Sequence, residues 1–216
     1  MSLEAMDAFF NKRADTYDDH MLVEMQLNEF YEAIAGCFPE SDKALSLLDL
    51  GCGTGLELER LFERMPNLNV TGIDLSKEML SLLQQKFPLQ NLQLICDSYF
   101  DVDFGENQFD FALTTYSLHH FSEGEILALF KKVYGSLRSG GVFIEGDYTC
   151  ETLQEQEFFL TENKRLRNEF DITEGFFHYD TPFTVETHIR LLKNAGFSDT
   201  CLVKGWDSTS IVEARK

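Results

Sequence analysis

Basic residues are scarce in this chain: 18 Lys and Arg stand against 37 Asp and Glu, a formal net charge of -19. A surface that acidic repels phosphate backbones and anionic membranes, so bulk nucleic-acid binding is not expected. The densest basic cluster, Lys164-Arg165-Leu166-Arg167, lies in a Glu-rich helical pattern and reads as a solvated helix face. No apolar run reaches the ~18 residues that a membrane span needs, and no signal peptide opens the sequence, so no membrane association is expected. The five cysteines, at 37, 52, 96, 150 and 201, form no Cys-x-x-Cys pair and match no zinc spacing. No metal is therefore expected, and a reducing, cytoplasmic compartment is. Cys52 and Cys96 fall in or beside predicted buried strands, where a free cysteine behaves as a small apolar residue. Internal repeats and low-complexity segments are absent, and Met1-Ser2-Leu3 carries no functional weight.

What is present is organised around Gly51-Cys52-Gly53-Thr54-Gly55. An apolar run of strand length, Leu45 to Leu50, ends in these three alternating glycines, and a helical pattern, Leu56 to Met65, begins at once. Such a turn is a ligand cradle at the carboxyl end of a parallel sheet. The 216 residues suit one domain with a full core and a small cap. Strand and helix then alternate, with predicted strands at Val70–Asp74, Leu92–Cys96, Phe109–Thr114 and Gly141–Asp147. Ser76 is placed as an N-cap and Ser122-Glu123-Gly124-Glu125 as a capping box, the helix it opens ending at Gly140-Gly141. A helix over Thr184–Ala195, closed by Gly196, precedes two strands near 201–204 and 210–214, linked as a hairpin by Trp206-Asp207-Ser208.

Ahead of the sheet, Glu4 to Arg13 reads as an amphipathic helix, Ala14 to Asp19 as a break, and the segment carrying Val23, Leu27, Phe30 and Ile34 as a longer helix that stops before Pro39. These residues, 1–40, are expected to form an N-terminal helical lid. Residues 41–216 are expected to form the ligand-binding domain, with a cap insertion at about 150–180.

Three details narrow the ligand. The spacing is Gly-x-Gly-x-Gly rather than the Gly-x-Gly-x-x-Gly of dinucleotide binders. No Gly-Lys-Ser/Thr follows, so a phosphate-gripping loop is excluded. Asp49 stands two positions before the first glycine, poorly placed for a pyrophosphate and well placed for a ligand with positive charge.

Leu47-Leu48-Asp49-Leu50-Gly51-Cys52-Gly53-Thr54-Gly55 resembles motif I of the class I S-adenosylmethionine-dependent methyltransferases. Val70-Thr71-Gly72-Ile73-Asp74-Leu75-Ser76 is similar to their second motif, Cys96-Asp97 to the third, Phe109-Asp110 through Leu118-His119-His120 to the fourth, and Leu137-Arg138-Ser139-Gly140-Gly141 to the turn before the fifth strand. The resemblance runs from about residue 44 to the end. It implies an α/β fold with a doubly wound, seven-stranded, mostly parallel sheet, one antiparallel strand, and helices on both faces.

The resemblance also implies roles toward S-adenosylmethionine, whose product is S-adenosylhomocysteine. Gly51, Gly53 and Gly55, with Thr54, would let the main chain approach the methionine end. Asp74 would accept the ribose hydroxyls and Asp97 the adenine amino group, with Ser98 and Tyr99 beside it. Leu75 and Met79 would line the adenine pocket, and Thr115 or Tyr116 would offer a carbonyl to the ammonium. Arg13 and Tyr17 are similar to lid residues that reach the carboxylate.

His119, His120, Tyr148 and His178 are candidate catalytic residues, with Tyr179 and the segment Glu145-Gly146-Asp147 also expected to face the pocket; His20 and His188 are expected to be structural or surface. Thr114-Thr115-Tyr116-Ser117 replaces the Asp/Asn-Pro-Pro-aromatic stretch of base-amino methyltransferases, which with the acidic charge points to a small-molecule acceptor. A methyltransferase acting on tRNA or protein and a non-catalytic S-adenosylmethionine-binding regulatory partner are the alternatives, with a nicotinamide oxidoreductase more distant. Monomer and homodimer are both open.

Overall fold

The computed structural model describes residues 3–216; Met1 and Ser2 lie outside the described residues. A two-residue strand β1 (Glu4–Ala5) leads into α1 (Met6–Asn11) and α2 (Ala14–Asp19), then a π-helical turn (His20–Glu24) and α3 (Asn28–Gly36). The sheet region follows as β2 (Ser46–Leu50), α4 (Leu56–Arg64), β3 (Asn69–Asp74), α5 (Lys77–Lys86), β4 (Asn91–Cys96), β5 (Phe109–Thr115), α6 (Glu123–Ser136) and β6 (Leu137–Tyr148). The last third comprises α7 (Leu153–Glu169), the short β7 (Phe177–His178), α8 (Val185–Ala195), β8 (Asp199–Gly205) and β9 (Thr209–Arg215).

The seven-stranded sheet has the order β4-β3-β2-β5-β6-β9-β8. Pairs among β2 to β6 are parallel, and β9 runs antiparallel to both β6 and β8. Adjacent residues of a strand point to opposite faces, so a strand covered on both sides must be apolar throughout. Leu47 accordingly joins Phe30, Ile34, Leu58 and Leu61 in one layer, while Leu48 joins Phe130 and Phe143 in the other. Helices α3 and α4 contribute to the first layer and α6 and α8 to the second, which makes the fold doubly wound. Successive strands step from β2 to β4 in one direction, and β5 returns to the other side of β2. The reversal leaves a crevice beyond the carboxyl ends of β2 and β5, where open α/β sheets bind ligands.

The predicted caps form. Ser76 accepts the Met79 amide hydrogen, the Ser122–Glu125 capping box is complete, and Gly196 closes α8 at φ +116°. Four expectations need correction. Helix α6 ends at Ser136 rather than at the glycine pair; Leu137 already takes an extended conformation, and Gly140 (φ +78°) lies inside the long β6, where the register against β5 shifts. The first helix is shorter than expected because Glu4–Ala5 is a strand, paired antiparallel with Phe177–His178 of the insertion. Ala14–Asp19 is helical: only the narrow Ala14 and Tyr17 side faces inward, so its polar composition reads as a break. The helix expected through Val23 is interrupted at Gln26 (φ +57°), leaving Val23 68% exposed while Phe30 and Ile34 enter the core. Cys52 is buried, whereas Cys96 is exposed because β4 is an edge strand.

Candidate active site

The glycine loop leaves β2 with Gly51 at φ +71° and Gly53 at φ +48°, a region that side chains disfavour. Space imposes a second demand at Gly51, where an added Cβ would lie 2.2 Å from Ser117 Oγ on the loop after β5. At Gly53 an added Cβ meets nothing nearer than Tyr17 Cε1 at 3.9 Å, so that face of the main chain is open to the crevice. Asp74, ending β3, holds the loop from beside: its Oδ2 accepts the Gly53 amide hydrogen at 2.9 Å and its Oδ1 that of Ser76 at 2.7 Å. Burial raises the Asp74 pKa, and the two amide donors oppose the rise.

Beneath the loop, Asp49 is 1% exposed, and its carboxyl hydrogen-bonds the adjoining Glu57 carboxyl while no cationic or amide donor among the described residues reaches it. Burial, reinforced by the neighbouring Glu57, holds its carboxyl well above the usual range. Glu57 is itself buried and raised; its Oε2 accepts from the Thr115 hydroxyl at 3.2 Å. These two buried carboxyls form an acidic floor that favours a cationic neighbour.

Over the loop lies a narrow cleft of about 60 Å³. Gly51, Gly53, Asp74, Leu75, Met79, Ser98, Tyr99 and Tyr116 line it from the sheet side, and Met6, Phe10, Tyr17 and Phe176 from the N-terminal helices and the insertion. The aromatic wall is continuous, with Phe100 and Phe176 stacked 5.5 Å apart. Phe10, Tyr17, Tyr116 and His120 separate the cleft from a second cavity of about 870 Å³, lined further by Phe9, Arg13, His119, Tyr148, His178 and Asp180. That volume lies within the range of small-molecule pockets.

Most residues expected at the site are brought together, but not all. Thr54 is buried, and its hydroxyl donates to Asp18 Oδ1 on α2 instead of facing the cleft. Asp97 is exposed and outside the cleft lining; its Oδ1 accepts the amide hydrogen of Ser98 at 2.7 Å. Arg13 borders the larger cavity, where its guanidinium lies 3.6 Å over the Phe9 ring and donates to Glu4 and to the Phe9 carbonyl. Glu145, expected to face the pocket, is buried in the core and paired with His188 of α8. Burial opposes protonation of His188, and Glu145 more than offsets this, raising its pKa. His20 is exposed at the rim of the larger cavity beside Glu24. Tyr116 holds φ +47° and hydrogen-bonds Thr209 through its hydroxyl at 2.6 Å, a strained backbone at the point where the two cavities meet.

Sequence reasoning missed Asp18, Asn11 and Ser117. Asn11 Oδ1 accepts from the Ser76 hydroxyl at 2.7 Å, and Lys86 Nζ bonds both Asp18 and the Thr54 carbonyl. These links tie α1 and α2 to the loop and to α5, and span 32 to 68 positions, beyond any local pattern. A polar residue on an otherwise apolar inward face was the available signal for Asp18.

At the far side of the larger cavity, Asp147 accepts four hydrogen bonds. Its Oδ2 takes the amide hydrogens of Leu118 (2.8 Å) and His119 (3.1 Å), and its Oδ1 takes that of Tyr148 (2.8 Å) and the His119 ring at Nδ1 (2.5 Å). Burial opposes charging of His119, but the Asp147 carboxylate outweighs it and raises the pKa. His120 lies beside it with a pKa pushed well down by burial and by His119, and His178, stacked on Phe9 at 3.5 Å, is lowered by burial.

The crevice, the acidic strand end and the sheet order define the nucleotide-type α/β architecture of class I methyltransferases. A family model described as a methyltransferase domain matches residues 47–141. The chain is 25% identical to carboxy-S-adenosyl-L-methionine synthase of Nautilia profundicola, over 95% of this chain and 93% of that protein. It is 26% identical to malonyl-[acyl-carrier protein] O-methyltransferase of Priestia megaterium, over 68% of this chain and 52% of that one. Among solved structures, human N-acetylserotonin methyltransferase in complex with SAM superposes with a TM-score of 0.69 at 18% identity, covering 99% of this chain and 59% of that one. The DhpI–SAH complex superposes at 0.71 and 19% identity, covering 96% and 93%. Residues 47–141 thus match a methyltransferase domain, with the glycine loop near its start, and the relatives and solved structures of similar fold include S-adenosylmethionine-dependent methyltransferases.

Proposed function

We propose that the protein transfers a methyl group from S-adenosylmethionine to a small-molecule acceptor held in the 870 Å³ cavity. The observation that carries this is the adjacency of two unlike spaces, a glycine-lined cleft and a roomy aromatic cavity, separated only by side chains. The residues fit the cofactor: Gly53 leaves the main chain open, and the paired carboxyls of Asp49 and Glu57 beneath the loop have no cationic partner among the described residues. Gly51, Gly53, Asp74, Leu75, Met79, Ser98 and Tyr99 would hold it, with the acidic floor favouring its positive charge. Thr115 or Tyr116 would offer the carbonyl toward its ammonium. Tyr17 borders both spaces, and Arg13 the larger one. Asp97 would have to turn inward to reach the adenine.

The cofactor supplies a methyl group already activated on a sulfonium. The chain's own work is therefore alignment and exclusion of water. Residues 1–40 and the 150–180 insertion serve as lid and cap, since Phe10, Tyr17 and Phe176 roof the cleft. A cleft of about 60 Å³ is well below the range of ligand sites, so the lid must shift to admit the cofactor. His119 is the best-oriented base, because Asp147 holds its Nδ1 and leaves Nε2 facing the cavity side. His120, Tyr148 and His178 border the same space. The acidic surface and this concave, aromatic-lined cavity favour a free metabolite over tRNA or protein.

A second reading is carboxy-S-adenosylmethionine formation, favoured by relatives of that name that align along nearly their whole length. That product carries an added carboxylate, and Arg13 is the cavity's guanidinium; its engagement with Glu4 and Phe9 weighs against the role. Incubation with S-adenosylmethionine and fractionated metabolites, followed by mass spectrometry, separates these readings. S-adenosylhomocysteine formed only with a particular metabolite supports methyl transfer, and a carboxylated cofactor supports the second reading. Tight cofactor binding with neither product would indicate a non-catalytic partner, and binding of NADH without S-adenosylhomocysteine would overturn the assignment.

A further inference from the structure

The carboxylate of Asp180 is surrounded by three imidazoles drawn from two separate segments. Its Oδ1 lies 3.4 Å from His120 Nδ1, 3.8 Å from His119 Nε2 and 3.8 Å from His178 Nε2. That oxygen is buried, and no hydrogen bond reaches it from the described residues. The donor atoms of His119, His120 and Asp180 all lie within 4.8 Å of one another. In a tetrahedral site with bonds of 2.0–2.2 Å, neighbouring ligand atoms are about 3.3–3.6 Å apart, so the His119 and His120 distances to Asp180 Oδ1 are within about half an ångström of the requirement.

We propose that His119, His120 and Asp180 bind one divalent transition-metal ion such as zinc, with its fourth position open to the cavity.

Several features agree with that assignment. His119 Nδ1 is committed to Asp147, which directs the Nε2 lone pair toward Asp180 and supplies the carboxylate–histidine support common behind metal ligands. Asp147 is itself fixed by three main-chain donors, so the orientation is rigid. His120 sits within 3.3 Å of the Tyr179 carbonyl through the same Nδ1 that faces Asp180, so binding the ion requires that ring to carry its proton on Nε2. Imidazole and carboxylate are the donors that suit zinc and its neighbours in the series. Cysteine spacing could not reveal the cluster, because its members are separated by about sixty positions and meet where the Thr181 amide and hydroxyl both donate to the His119 carbonyl.

All three residues border the larger cavity. With an ion bound, His119 Nε2 would be a ligand rather than the base, and the ion would coordinate an oxygen-bearing acceptor at its fourth position and lower its pKa in the base's place, a role that rests on the methyl-transfer reading. Metal binding itself does not depend on that reading and is tested without cofactor. The protein is stripped with EDTA, dialysed and titrated with Zn²⁺ against a chromophoric chelator, in a Cys96→Ser, Cys201→Ser background that removes the exposed thiols. The expected result is one Zn²⁺ per chain, with affinity lowered at least tenfold by Asp180→Asn and further by adding His120→Ala. Co²⁺ should give visible ligand-field absorption in the parent and not in the double variant. Zn²⁺ should raise the thermal midpoint of the parent alone. Equal affinity in parent and double variant, or no binding by a parent that still binds S-adenosylhomocysteine, would overturn the proposal and leave a hydrogen-bonded histidine cluster.

Discussion

Thr54, inside the glycine loop, donates its hydroxyl hydrogen to Asp18 of α2, so the loop is clamped by a helix that precedes it by 36 residues. Lys86 completes the clamp from α5 by bonding both Asp18 and the Thr54 carbonyl. Replacing Asp18 by Ala removes the acceptor and frees the lysine. A hydrogen bond with a charged partner contributes about 1.5–3 kcal/mol, so affinity for S-adenosylhomocysteine should fall roughly tenfold. Amide exchange across residues 14–24 should quicken in the same variant. Calorimetry and exchange mass spectrometry check the two effects, and unchanged affinity would separate α2 from the cofactor site.

Asp49 trades stability for ligand binding. Its carboxyl pKa is raised by burial and by Glu57, so the folded state favours the protonated form and loses stability as pH rises through the raised value. Asp49→Asn cannot ionise. Its thermal midpoint should exceed the parent's by a margin that is absent below about pH 4 and widens with rising pH. Its affinity for S-adenosylhomocysteine should drop about tenfold, a 1.4 kcal/mol loss. A variant that is less stable at pH 8 would contradict the carboxyl's cost.

Gly53→Ala separates backbone strain from occlusion. The site has room for a Cβ, so the folding penalty is the left-handed backbone alone, about 1–2 kcal/mol. The methyl group projects toward Tyr17, on the cleft side. Cofactor affinity should therefore fall far more than stability does, at least tenfold by titration calorimetry, with cooperative thermal unfolding retained.

The buried His188–Glu145 pair makes a pH-dependent contribution away from the site. Because Glu145 raises the His188 pKa, the stabilisation is fully present below the unfolded value of about 6.5 and is lost as pH rises through the folded value. His188→Gln leaves a buried carboxylate without its cationic partner and should cost about 3 kcal/mol at pH 6. The gap from the parent should narrow toward pH 9, as read by denaturant unfolding.

The sheet was legible because each strand is an apolar run bounded by turn residues, as in Leu47-Leu48-Asp49-Leu50 and Val142-Phe143-Ile144, and because the resemblance supplied the number of strands and the single antiparallel one. The glycine loop and Asp74 were legible for the same reason: their signal is local. The N-terminal region was not. Val23 and Leu27 keep helical spacing, yet the chain turns at Gln26, and Ala14–Asp19 looks like a linker although it is the helix facing the loop. Glu145 has the alternation of a strand residue on either face, and only the position of α8 settles that it meets His188. Asp180 gave no signal at all, since its surroundings come from segments sixty residues apart.

The two-residue ladder between Glu4–Ala5 and Phe177–His178 gives the cavity a single shutter rather than two flaps. The N-terminal helices and the insertion are far apart in the chain, yet neither can swing outward without breaking the same few main-chain bonds. Entry of cofactor and departure of product then share one threshold. A molecule that grips either leaf would slow traffic through both, so residence time in this pocket would be set at a strand pairing whose own His178 lines the cavity.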